Sequence, residues 1–376
     1  MKAGTDPYCR YTWMKQCFDK SLNTSGHLLR HFFAAAVFLV LSLLFIPGCS
    51  RKEETVFTMA EKALGESDFE TAYSYYSEAL ELGLETEKSL RGRGIALMSR
   101  GDYEGAVSDF EDALRSSHGI PSDIEFDINY YLAACFYKLG RFDEAIKVYD
   151  AITALKPSSA DAFKMRGDAE LQVLMREEAV ADYNRAVQLE PKNYDRMILI
   201  LQSLKDAGLE ETGKGYIEET LDRYSSGMSN YDRGRLYYYL EQYDTAKTYL
   251  EQARASSSDY RSSSLLGQTY EKLGDYNYAV SVYESFIAAD QSHPEVYNRL
   301  GLCRMAMGSY QEALNAFQQG LMLQDTAMDQ SLSYNEIVAY EYLGQFKKAA
   351  VLMESYLQKY PTDEDARREY IFLSTR

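Results

Sequence analysis

The phrase glycine, any residue, aromatic, any two residues, alanine returns along this chain at nearly equal intervals. It reads Gly-Asp-Tyr-Glu-Gly-Ala at 101–106, Gly-Arg-Phe-Asp-Glu-Ala at 140–145 and Gly-Asp-Tyr-Asn-Tyr-Ala at 274–279. It returns as Gly-Ser-Tyr-Gln-Glu-Ala at 308–313 and Gly-Gln-Phe-Lys-Lys-Ala at 344–349. Looser copies end at Ala72, Ala179 and Ala246, and Gly213 fills the remaining interval. The nine marks at 72, 106, 145, 179, 213, 246, 279, 313 and 349 are 34, 39, 34, 34, 33, 33, 34 and 36 residues apart. A fixed period of this length means one supersecondary unit repeated, with each unit burying its apolar face against its neighbours. The turn glycine supplies a positive φ that ends a helix. The alanine opens the next helix where the backbones come too close for a larger side chain.

Other positions keep the same register. A small residue stands upstream at Gly94, Gly167, Gly234, Gly267 and Gly301. An aromatic follows the alanine by four residues at Tyr76, Phe110, Tyr149, Tyr183, Tyr283 and Phe317. Pro157, Pro191 and Pro361 close three units, where a proline can stop a helix without breaking one. In these positions the chain resembles the tetratricopeptide-repeat family over about residues 53–362. The resemblance implies an all-α, right-handed superhelical solenoid of about nine helix–turn–helix repeats. Their expected bounds are about 53–86, 87–120, 126–159, 160–193, 194–226, 227–259, 260–293, 294–327 and 330–361. A capping helix is expected over 362–376, opened by a capping box at Thr362-Asp363-Glu364-Asp365. The alanines Ala72, Ala106, Ala145, Ala179, Ala246, Ala279, Ala313 and Ala349 are the expected structural positions. The extra residues between the second and third units are expected in a loop over Ser116–Glu125, which holds Gly119 and Pro121.

Before the repeats, Phe32 to Ile46 is apolar except for Ser42, and Arg30 stands in front of it. A spanning helix needs about 20 apolar residues, and a secretory signal core about 7–15. The sequence Ile46-Pro47-Gly48-Cys49 that follows resembles a bacterial lipobox, with Pro47 a departure from its pattern. This predicts a leader over 1–48, a lipidated Cys49 and a short linker over 49–52. The implied location is the extracytoplasmic side of a bacterial cell membrane. An uncleaved single-pass anchor is the alternative.

The chain's formal charge is −17, and residues 1–48 hold five basic and two acidic residues, which leaves −20 for the rest. A body so acidic repels phosphate backbones, so nucleic acid is excluded as a partner. There is no HExxH, CxxC or Gly-x-Ser-x-Gly, and only His118 and His293 lie beyond the leader. That pattern offers no metal centre, cofactor site or catalytic group, and predicts neither an enzyme nor a small-molecule substrate. The stretch Gly208-Leu-Glu-Glu-Thr-Gly-Lys-Gly215 approaches a phosphate-binding loop. Gly215, however, occupies the position of the Ser or Thr that holds magnesium, and the repeat register makes the stretch a helix–helix turn. Cys135 and Cys303 share one small, buried slot five repeats apart, which reads as two packed thiols and not a disulfide.

In the family the first helix of each pair lines a concave groove, through slots 2, 5, 9, 12 and 13 of the repeat. Applied here, those slots hold acidic and basic residues in near balance. They also hold part of a large tyrosine complement, 33 Tyr against 1 Trp. The sixth repeat is densest, with Tyr231, Arg235, Tyr238 and Tyr239 on one helical face. Tyr130, Tyr137, Lys88 and Arg91 are further candidates, since Tyr and Arg dominate binding hot spots. The family's carboxylate clamp lacks its Asn here, because Ile95 fills that slot. The expected function is a membrane-anchored scaffold that holds a protein or peptide in its groove. A non-catalytic recognition subunit of a cell-envelope enzyme complex is the alternative.

Overall fold

The computed structural model describes residues 49–116 and 122–376, so the expected leader lies outside the described residues. The described chain contains nineteen α-helices, and it divides into two compact units at Leu155/Lys156. The first unit holds three helix pairs: α1 (Cys49–Gly65) with α2 (Phe69–Glu81), α3 (Thr86–Ser99) with α4 (Tyr103–Ser116), and α5 (Asp123–Lys138) with α6 (Phe142–Leu155). The second unit opens with α7 (Ala160–Gln172) and α8 (Arg176–Leu189), then α9 (Tyr194–Asp206) and α10 (Glu210–Tyr224), then α11 (Asn230–Tyr239) and α12 (Tyr243–Ser256). It continues with α13 (Tyr260–Leu273) and α14 (Tyr276–Ile287), α15 (Pro294–Ala306) and α16 (Tyr310–Leu321), and α17 (Asp329–Tyr342) and α18 (Phe346–Lys359). A single helix, α19 (Glu364–Leu373), ends the chain. Each unit is an all-α helical-repeat solenoid in which every helix packs on the next, while first helices of successive pairs also touch.

Every pair turns on one residue of left-handed φ: Ser67, Gly101, Gly140, Leu174, Gly208, Glu241, Gly274, Gly308 or Gly344. The backbone closes in the same manner each time. Asp102 N–H reaches Leu97 O at 3.0 Å, and Met175 N–H reaches Glu170 O at 2.9 Å. Six of these turns use glycine. Ser67, Leu174 and Glu241 hold the same conformation with a side chain, at a cost of about 1 kcal/mol each.

The two helices of a pair interlock by size. A Cβ built on Gly94 would stand 2.6 Å from the Phe110 ring, and one on Gly167 would stand 2.9 Å from Tyr183. On Gly267 and Gly301 it would come within 2.3 Å of Tyr283 and Phe317. In each case the glycine precedes its partner by 16 residues. The eight alanines at the period marks are fully buried in the same interface. The fifth pair reverses the sizes. Leu201 and Ile217, also 16 apart, are both large and buried, and Gly213 makes the room: a Cβ there would lie 2.9 Å from the Leu201 Cα.

Three local expectations are corrected. Residues 49–52 are the first turn of α1 and not a linker, since polar residues with no Gly or Pro follow Cys49. Of the expected loop Ser116–Glu125, residues 117–121 lie outside the described residues; Ser116 ends α4, and Ser122 and Glu125 bond reciprocally and start α5 at Asp123. Thr362 does not cap the last helix. Asp363 does, taking the Ala366 N–H at 3.0 Å, where a carboxylate also meets the positive end of the helix dipole.

Candidate functional site on the first-helix face

From α3 onward, first helices carry polar groups whose partners lie on a neighbouring pair. In the first unit Arg91 on α3 pairs with Asp127 on α5 and lies over the Tyr131 ring, 5.7 Å from its centroid. Lys88 pairs with Glu85 at 2.7 Å, beside its own helix start. Tyr130 is tilted against Tyr149 at 6.3 Å, and Tyr137 meets Phe142 edge-on at 5.2 Å. Arg91, Tyr130 and Tyr137 therefore already serve the packing of the repeats, while the Lys88 pair stays within its own helix. Tyr131, stacked on Phe110 at 5.8 Å, belongs with them and falls outside the slots used to select them.

In the second unit Arg196 on α9 binds Asp161 on α7 at 2.7 Å and Glu190 at 2.7 Å. Asp168 on α7 accepts hydrogen bonds from Tyr183 (2.8 Å) and from Ser203 on α9 (3.0 Å). Arg235 on α11 donates to Asp195 on α9. Arg261 on α13 lies over Tyr231, 4.8 Å from the ring centroid. Near-balance of charge along these slots thus has a structural cause, since the acids and bases of adjacent repeats neutralise each other.

The four α11 candidates do not act as one surface. Tyr231 and Tyr238 pack against the core that runs from α12 to α16, while Tyr239 packs against the core of α7 to α11. Tyr238 meets Tyr239 and Tyr243 edge-on, each at 5.6 Å, and burial pushes its hydroxyl pKa upward. Arg235 alone of the four lines a cleft of about 570 Å³ between α9, α11 and α13. Glu190, Lys192, Asn193, Tyr194, Asp195, Asp232 and Arg261 complete its polar wall. Lys192, Tyr194 and Asp232 were not among the sequence-based candidates because they sit at helix ends, away from the slots. The proline-closed turn at Pro191 is the signal that brings Lys192 there.

The remaining sequence candidates resolve simply. Gly208 is the turn before α10, and Gly213, Lys214 and Gly215 lie within that helix, where Lys214 pairs with Glu210 at 3.2 Å. Cys135 and Cys303 are free and buried, and burial pushes both thiols up to about 12. Such thiols stay protonated and unreactive at neutral pH. Among the described residues no group of His, Cys, Asp and Glu is arranged to hold a metal, and no helix is long and apolar enough to cross a membrane. Cys49 is the first residue of α1.

Paired helices stacked in register, with a polar face on the first helix of each pair, define a helical-repeat protein of the kind that mediates contacts between proteins. Residues 57–119, 91–160 and 333–363 match models described as tetratricopeptide repeat, and residues 240–320 match the model described as anaphase-promoting complex, cyclosome, subunit 3. The chain is a tetratricopeptide-repeat protein. It is similar to "BBSome complex member BBS4" of Bos taurus, 23% identical over 56% of this chain and 34% of the relative. It is also similar to "Hsp70-Hsp90 organizing protein 3" of Arabidopsis thaliana, 24% identical over 69% of this chain and 40% of the relative. The chain thus spans little more than a third of the length of these curated relatives. A solved tetratricopeptide-repeat protein from Parabacteroides merdae matches 78% of this chain and 100% of its own, at 14% identity and TM-score 0.48. Yeast Tom70 matches 86% and 81% at 13% identity and TM-score 0.47.

Proposed function

We propose that this chain is a non-catalytic scaffold that holds a protein or peptide segment along its first-helix face, with the cleft beside α11 as the main grip. The observation that carries this reading is the cleft itself, where Lys192, Arg235 and Arg261 meet Glu190, Asp195 and Asp232 around an open volume of about 570 Å³. Both signs of charge are fixed there by the scaffold, so a polar, partly extended segment can find a partner for each of its groups. The amphipathic Tyr194 supplies contact area at low entropic cost. The tetratricopeptide-repeat relatives named as organizing proteins agree with a holding role.

The scaffold is anchored by a lipid on Cys49 to the outer face of a bacterial membrane. The support is the apolar run 32–46 followed by Gly48-Cys49. With Cys49 at the head of α1, the first helix pair stands at the lipid surface, and the −20 body is repelled from anionic headgroups. In crosslinking pull-downs from membranes, the Arg235→Ala/Arg261→Ala variant should lose most of the captured partner. The Tyr231→Ala/Arg235→Ala/Tyr238→Ala/Tyr239→Ala variant should lose it as well, with helicity checked by circular dichroism. Undiminished capture by a folded Arg235→Ala/Arg261→Ala variant would place the grip elsewhere, with Lys88, Arg91, Tyr130 and Tyr137 as the next surface. Cys49→Ala should move the protein to the soluble fraction, and its retention in membranes would favour the uncleaved anchor.

A further inference from the structure

Two joints in the second unit occupy the same register with opposite chemistry. Where α13 meets α15, the Glu271 carboxylate accepts from Arg299 at 3.1 Å and from the Tyr283 hydroxyl. Glu271 precedes Arg299 by 28 residues. Where α17 meets α19, Glu341 precedes Glu369 by the same 28 residues. The arginine of the internal joint is thus replaced by a second carboxyl at the terminal one.

Glu341 Oε1 is buried and has no donor among the described residues. The group it faces is the Glu369 carboxyl. Two ionised carboxylates are both acceptors, so the contact becomes a hydrogen bond only when one proton sits between them. The surroundings offer no substitute. On α17, Tyr334 stands in the field of Glu341, Glu369, Asp363 and Asp365. On α18, Tyr356 gives its hydroxyl to Asp363 at 2.7 Å, and Lys348 is held at Tyr340. On α19 itself, Arg367 turns to Glu364 and Arg368 to Asp365. Burial first, then the Glu369 carboxyl, pushes Glu341 up to about 7.

We infer that Glu341 and Glu369 form a proton-held clasp, which fastens the terminal helix α19 to α17 while they share a proton and loosens it when that proton leaves. The sign follows from the direction of the shift. A carboxyl whose pKa is raised on docking stabilises the docked state fully below its ordinary pKa of about 4.3 and loses that contribution as pH rises through 7. Asp363 works the other way. The Ala366 N–H and the Tyr356 hydroxyl hold it below the usual carboxylate range, so its contribution is present above about pH 4 and lost on further acidification. Docking is therefore strongest near pH 5 and weakens towards pH 8. Release uncovers the apolar end that Ala366 and Leu373 cover, including Met353 and Tyr356.

Hydrogen–deuterium exchange of the full chain tests this when residues 364–373 are compared with the Glu369→Gln and Glu369→Arg variants in the same buffers, which cancels the intrinsic pH dependence of exchange. Between pH 5 and pH 8 wild-type protection of this helix should fall roughly tenfold to a hundredfold relative to Glu369→Arg, which restores the ion pair of the internal joint. Glu369→Gln should show a much shallower fall. Carbon-13 NMR should find Glu341 titrating well above the ordinary carboxylate range in the wild type. A wild-type profile parallel to that of Glu369→Arg, or a Glu341 titration in the ordinary range, would overturn the clasp.

Discussion

Glu271 and Glu341 sit at the same point of two helix pairs, yet one is held by Arg299 and Tyr283 while the other faces Glu369. The internal joint has repeats on both sides, and its carboxylate is satisfied by a permanent cation and a buried hydroxyl. The terminal joint holds only one short helix, whose buried residues are Ala366 and Leu373. An ion pair to a permanent cation needs its carboxylate ionised and so holds its joint through neutral pH, whereas a carboxyl pair makes attachment conditional on a proton. The difference teaches that register alone does not set the strength of a repeat interface. The polar residue placed in a shared slot decides whether the joint is fixed or adjustable.

Copying the terminal arrangement into the internal joint gives the largest expected effect. Arg299→Glu removes the cation and leaves Tyr283, whose hydroxyl pKa is pushed up by burial and by Glu271, beside two carboxyls. Breaking a buried pair costs about 3–5 kcal/mol. Because Arg299 is 36% exposed, roughly 2–4 kcal/mol is expected, read as a lower Tm. The loss should be greater at pH 8 than at pH 5, which would transfer the terminal joint's pH behaviour to the internal one. An unchanged Tm would mean that apolar packing alone holds these joints. The reverse edit is milder. Glu341→Gln supplies an amide donor to Glu369 and should stabilise docking of α19 by about 0.5–1.5 kcal/mol at pH 8, with little change at pH 5, measured by the same exchange experiment. The smallest effect lies outside both joints and sets their scale. Leu174→Gly relieves a left-handed backbone at a residue 75% exposed and should stabilise the second unit by about 0.5–1 kcal/mol in thermal melts at either pH. A loss of stability there would show that the Leu174 side chain contributes packing in spite of its exposure.

Much of the fold is legible because it rests on local rules repeated with one period. Ala106 is buried for the reason Ala313 is, and a glycine turn at Gly101 looks the same in sequence as one at Gly344. Leu174 and Glu241 are harder to read as turns, since the register and not the residue imposes their left-handed φ. The division at Leu155/Lys156 leaves no mark in the spacing of the period. The candidate site was only partly legible. Slot positions identify Arg235, but that its guanidinium is engaged by Asp195, 40 residues earlier, depends on how neighbouring pairs settle on one another. For the same reason Lys192 and Asp232, which belong to helix ends, escape a search by slot. The Glu341–Glu369 contact requires knowing that α19 continues the register of a first helix, although its sequence lacks the rest of the repeat.

The reversed fifth pair limits how these modules can be exchanged. A hybrid that joins α7 to α10 would set Gly167 opposite Ile217, with no ring to fill the space. The opposite hybrid, α9 with α8, would drive Leu201 against Ala179 and Tyr183. The two helices of the fifth pair can therefore be inherited, duplicated or grafted only together.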